Sequence, residues 1–271
     1  MKLAVSNIAW PAAMNEDALA IVKRAGVSGI EIAPTRLWPE WQGASRSAAE
    51  TAGNDCLSYG LPVVAMRAIL FGKPEHKLLG SDADRDNLGK HLELCADLAS
   101  GMGARSLVLG APKNRDLNGR SPADAFTIAR EFFTELAPYY SRQGVWLCLE
   151  ANPPQYGCQF ITNSSDAGKL VRSVRSPGFG LHLDTACMHL AGEDLTEAVL
   201  KNFEVLRHFH VSEPFLDAFD HPVINHALVA QTLRGLHYDG WVSLEMREAP
   251  DPLQGLRRAS EFLVDTYNGE N

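Results

Sequence analysis

Four side chains with ligand or acid–base chemistry stand at the ends of apolar runs in the C-terminal half of the chain. Glu150 follows Val-Trp-Leu-Cys-Leu, Asp184 follows Phe-Gly-Leu-His-Leu, His210 follows Arg-His-Phe, and Glu245 follows Trp-Val-Ser-Leu. They are 34, 26 and 35 residues apart, each gap near the length of one strand–helix–strand return. On neighbouring parallel strands of a closed barrel, all four would converge at one mouth. Three carboxylates and an imidazole form an oxygen- and nitrogen-rich donor set suited to a divalent cation. Without a cation, the carboxylates would repel one another.

The elements needed to position them can be read along the whole chain. Runs at 3–6, 29–32, 62–66, 106–109, 146–150, 179–184, 208–211 and 240–245 predict strands. Helices are predicted from about Asn15, over 47–59, 82–102, 121–142 and 163–174, from Leu195, over 225–236 and over 252–267. Leu88, Leu92, Cys95, Leu98 and Ala99 have helical spacing, and Ser121-Pro122 is a cap followed by a first-turn proline. Eight strand–helix units predict a (β/α)₈ TIM barrel spanning residues 1–271 as one domain. A doubly wound open sheet is the rival, but Ser6-Asn7-Ile8-Ala9-Trp10 replaces the glycine-rich turn expected after its first strand. Long connections at 34–46, 67–80 and 110–120 follow strands, as the loops of a barrel's active mouth do. The tail from Asn268 is expected to fray.

The net charge of −8 and the absence of a basic run argue against nucleic acid as a partner. Five irregularly spaced cysteines, with no Cys-x-x-Cys pair, point to a reducing compartment. With no apparent export signal or membrane-length apolar stretch, the expected location is the cytoplasm, with no membrane partner. Self-association into a homo-oligomer is left open. There is no phosphate loop, nucleophile elbow or nicotinamide fingerprint.

Other residues near the expected mouth are suited to gripping a polar substrate. Lys113 and Arg115, in the loop after the fourth strand, are candidate contacts for an anionic or polyhydroxy ligand. Arg67 ends the third strand, Asn152 lies in the rigid Asn-Pro-Pro bend after Glu150, and Arg247 stands two residues beyond Glu245. His189 is placed in a loop, where it would reach a substrate hydroxyl. His182 and His208 alternate with Asp184 and His210, so they share the barrel's inner face.

The segments Leu149-Glu150-Ala151-Asn152-Pro153, Leu181-His182-Leu183-Asp184-Thr185, His208-Phe209-His210-Val211-Ser212-Glu213-Pro214 and Val242-Ser243-Leu244-Glu245-Met246-Arg247 resemble the xylose isomerase-like TIM-barrel superfamily. More narrowly, they are similar to its sugar phosphate isomerase/epimerase branch. The resemblance implies one divalent ion, Mn²⁺ or Mg²⁺ and in some members Co²⁺ or Zn²⁺, held by Glu150, Asp184, His210 and Glu245. It also implies that Glu150 and Glu245 are the catalytic proton carriers. The expected activity is a sugar isomerase or epimerase acting on a small carbohydrate or keto-polyol through a metal-stabilised enediolate. A lyase or dehydratase using His189 or Lys113 as acid, an abasic-site endonuclease and a non-catalytic sugar-binding barrel are the rivals. The pattern departs from ketose epimerases in three places. Gln155 and Tyr156 stand where those enzymes have a glutamate, His189 is five rather than three residues after Asp184, and Glu213, Pro214 and Asp217 occupy the region of an expected arginine.

Overall fold

A computed structural model describes residues 1–269. The last two residues of the expected frayed tail, and of the 1–271 span, lie outside it. Eight parallel strands, β1 (Lys2–Ser6), β2 (Gly29–Ile32), β3 (Val63–Met66), β4 (Ser106–Leu109), β5 (Trp146–Glu150), β6 (Phe179–Asp184), β7 (Leu206–Ser212) and β8 (Trp241–Glu245), close in sequence order. β1 pairs with β8 through Lys2–Trp241 to Val5–Leu244, which rules out the open sheet.

Helices cover the outside: α1 (Asn15–Arg24), α2 (Pro34–Leu37), α3 (Arg46–Ser58), α4 (Asp82–Met102), α5 (Pro122–Gln143), α6 (Ser164–Val174), α7 (Thr185–Leu190), α8 (Leu195–Asn202), α9 (His226–Gly235) and α10 (Pro252–Tyr267). Their starts follow local chemistry. The side chains of Ser45, Ser121, Asn163 and Asn225 cap α3, α5, α6 and α9, and Ser81 with Asp84 forms a reciprocal capping box on α4. Asn15, at the predicted start of α1, is its first residue and does not cap it; its Oδ1 accepts from Trp10 Nε1 at 3.2 Å. The short α7 was not predicted. Asp184 caps it by accepting from the Cys187 N–H at 2.7 Å.

Strand alternation sorts side chains between two interiors. Leu147, Leu149, Leu181, Leu183, Phe209, Val211, Val242 and Leu244 join the main apolar core with the helices. A separate small cluster of Ala4, Val64 and Ala65, with Trp241 against it, plugs the barrel floor. Above that plug the barrel interior is polar, with Ser6, Glu31, His182, His208 and Ser243 all buried. All five cysteines are free. Among the described residues, no helix is long and apolar enough to cross a membrane.

Candidate active site

The parallel register brings the predicted cluster together. It pairs Glu150 with His182 and Asp184 with His210, and it sets Ser212 opposite Glu245. Glu150, Asp184, His210 and Glu245 are all buried and line one chamber of about 360 Å³. Glu150, His182, Asp184 and His210 offer donor atoms within 4.8 Å of one another, and Glu245 falls in an overlapping set with His210 and Glu31.

His210 is the hinge of the arrangement. Its Nε2 lies 2.9 Å from the carboxylate of Glu31. Its Nδ1 faces Asp184 Oδ2 at 3.7 Å and Glu245 Oε2 at 3.6 Å, and has no hydrogen-bond partner among the described residues. Glu31, wholly buried on β2, also accepts from His208 Nε2 at 2.7 Å. Burial opposes the charge of both partners. The two histidines nevertheless hold the Glu31 carboxyl far below the usual range, and Glu31 with Glu245 holds the His210 imidazolium well above it. Sequence reasoning missed Glu31. The available signal was a lone acid in Gly-Ile-Glu-Ile, a strand otherwise fit for full burial.

The acids of the chamber differ in environment. Burial, followed by Asp184 and Glu245, pushes the Glu150 carboxyl up to about 7. Burial and Glu245 also raise Asp184, despite bonds from the Cys187 N–H and the Ser212 hydroxyl. Burial works against Glu245 as well, but the guanidinium of Arg67, paired to its Oε1, and then His210 bring it below the usual value. The chamber therefore contains one carboxylate fixed as an anion and one poised to hold a proton near neutrality.

The grip residues divide sharply. Arg67 and Asn152 line the chamber. Arg67 pairs with Glu245, and Asn152 donates from Nδ2 to Glu150 Oε2 at 2.8 Å. Arg115 is buried, not a free cation. It donates to Glu150 O and Asn152 Oδ1, both at 2.8 Å, and to Leu109 O at 3.4 Å. Its guanidinium satisfies carbonyls below the mouth and orients Asn152. Lys113 is exposed and absent from the chamber lining, because its turn (Pro112–Arg115) sends Arg115 inward. His189 is on α7, not in a loop, and is exposed outside the lining. Arg247 also points away. Strand alternation ends with β8 at Glu245, and Arg247 pairs with Asp217 at 3.0 Å on the surface. Tyr156 and Phe215 complete the rim, their rings 5.6 Å apart and the Phe215 N–H donating to the Tyr156 hydroxyl.

Comparison with known proteins places the fold. A family model described as "Xylose isomerase-like TIM barrel" matches residues 19–266. A search of curated proteins finds no match. Among solved structures, the fold is similar to that of a D-psicose 3-epimerase determined with D-fructose, at TM-score 0.82, 16% identity and 100% coverage of each chain. It is also similar to a 3-keto-D-glucoside 4-epimerase from E. coli, at TM-score 0.78 and 20% identity over 97% of this chain and 98% of that one. A third similar structure is the IOLI protein with a bound zinc atom, at TM-score 0.76 and 17% identity over 99% of this chain and 98% of that one. At these identities the likeness is one of fold.

Proposed function

The chain belongs to the xylose isomerase-like TIM barrel family, and on that premise we propose that it is a metal-dependent sugar isomerase or epimerase. One observation carries the reading. His210 is anchored by Glu31 on one ring nitrogen and turns its other, unpartnered nitrogen toward Asp184 and Glu245. Ligating histidines are oriented in this way, with a carboxylate behind the imidazole fixing the tautomer. The donor set also fits a cation, since it is mixed nitrogen and oxygen and its carboxylates repel one another. Glu150, Asp184, His210 and Glu245 would hold the ion. When bound, it supplies Lewis-acid polarisation of a substrate carbonyl and the adjacent hydroxyl oxygen.

The protein's own groups would then move the proton. Glu245, kept ionised by Arg67, removes a hydrogen from the carbon beside the carbonyl. Glu150, aligned by Asn152, returns one. Delivery to the neighbouring carbon isomerises the sugar, and delivery to the opposite face epimerises it. Tyr156 and Phe215 shield the exchange from bulk water. The structural relatives named for psicose and 3-keto-glucoside epimerisation support a sugar or keto-sugar substrate. The rival dehydration loses its candidate acids, because His189 and Lys113 lie outside the chamber lining. The test is incubation with Mn²⁺ in D₂O and a panel of ketoses, inososes and keto-glycosides. Deuterium is expected at a carbon beside the carbonyl of at least one. Its absence from the whole panel would sink the proposal.

A further inference from the structure

The chamber does not end at its own wall. Arg67 and Ala68 also line an outer groove of about 830 Å³, more than twice the volume of the chamber. Its other walls include Thr35, Arg36, Glu40, Trp41, Phe71 and Lys73. The Phe71 side chain is 67% exposed. The Trp41 indole N–H donates to the Phe71 backbone carbonyl at 3.0 Å, which fixes the backbone that carries this ring beside Trp41. Trp41 is braced in turn, edge-on, by the His91 ring at 4.5 Å.

The backbone here is held in costly conformations. Of ten non-glycine residues with positive φ among the described residues, six line the chamber or the groove: Glu40, Trp41, Ala68, Ala111, Phe215 and Leu216. Such residues persist where surrounding structure fixes them, and they concentrate at ligand clamps.

The lining specifies the chemistry of an occupant. Aromatic surface suits the C–H face of a sugar ring. Thr35, Arg36, Glu40 and Lys73 supply donors and an acceptor for hydroxyls. A phosphate would call for several unengaged cations. Here Arg36 is paired with Glu248 at 2.5 Å and Arg67 with Glu245, while Lys73 has no ion-pair partner among the described residues.

We infer that the groove is a second-ring subsite, and that the substrate is a neutral glycoside or disaccharide. Its reacting keto ring enters the chamber and its second glycosyl unit lies across Phe71. The inference rests on the sugar-converting reading of the chamber, which it narrows.

Two measurements separate the two claims. The first compares kcat/KM for a keto-disaccharide with that for the matching monosaccharide, in wild-type Mn²⁺-loaded protein and in Phe71→Ala. Wild type should prefer the disaccharide by tenfold or more, mostly through KM, and Phe71→Ala should bring the ratio near one. A wild-type ratio near one, or a preference that survives the substitution, overturns the subsite. The second needs no turnover. Calorimetric titration with a reduced, unreactive disaccharide should show binding at least tenfold tighter than with the reduced monosaccharide, and Phe71→Ala should abolish the difference. That result with no deuterium exchange on any substrate retains the subsite while removing the catalytic reading. Equal affinities, or equal failure to bind, remove the subsite whatever the exchange result.

Discussion

At the scale of single residues, the two glutamates are chemically similar groups given opposite tasks by their neighbours. Glu150→Gln and Glu245→Gln keep the shape of the side chain but lose the proton-carrying oxygen. Each should reduce exchange by roughly two orders of magnitude or more, while metal binding measured by calorimetry weakens and persists. Normal turnover in both would dismiss the two-glutamate scheme. A pH dependence follows from Glu150, raised from 4.5 to about 7 by burial and like charge. Below that value its proton must leave before it can ligate. Metal affinity should therefore rise by about tenfold per pH unit for each proton displaced; the share of Glu150 ends above about 7, while that of the His210 imidazolium continues beyond it. The same shift has a stability consequence with a definite sign. Between the two values the folded state holds a proton that the unfolded chain has lost, so metal-free protein loses stability as pH rises through that window. Glu150→Gln should escape this term, and its metal-free melting temperature should gain on wild type between pH 5 and pH 7. An unchanged difference across that range would show that Glu150 is not strained.

At the scale of elements, strand ends position the acids and the loops beyond them fix their orientation. Gly110, just past β4, shows how tightly. A Cβ at that position would collide with Glu150 Oε2. Gly110→Ala should thus keep the fold by circular dichroism but lose much of its activity, as the carboxylate is displaced. Arg115→Ala should act differently from the loss of a substrate-binding cation. It leaves buried carbonyls at Leu109 and Glu150 without their donor, so a destabilisation on the order of 3 kcal/mol is expected. Lys113→Ala should change neither stability nor KM. A raised KM without lost stability in Arg115→Ala would restore the surface-cation view. These contrasts also explain what could be read from sequence. The three strand-end acids and His210, two residues before the end of β7, were legible because a parallel barrel repeats at a regular chain interval. Lys113 and Arg115 were not separable, since nothing in Pro-Lys-Asn-Arg tells which cation a tight turn buries. His189 was misplaced because Asp184 was read as ligand chemistry alone, although its Oδ1 caps α7 and so starts the helix that carries His189. Glu31 lay hidden because its partners, His208 and His210, are 177 and 179 residues away in the chain.

At the scale of the whole molecule, a cation bound by β5 to β8 should stabilise the barrel by mass action. At about a hundred times its dissociation constant, the gain is roughly 2.7 kcal/mol, or several degrees in melting temperature for a chain of this size. Scans with and without chelator should show that shift, and Asp184→Ala should lose it. An identical curve for chelated and Mn²⁺-loaded wild type would argue against a tight site. The seam between β1 and β8 has a consequence for the newborn chain. Lys2 leaves the ribosome well ahead of its hydrogen-bonding partners around Trp241, which come 239 residues later. At about 5–20 residues per second, the first strand waits roughly 10–50 s with one edge bare. During that interval it is open to pairing with another nascent chain. Slow stretches of translation before β8 would lengthen the exposure, so the yield of soluble protein should depend on the rate at which the last strands are made.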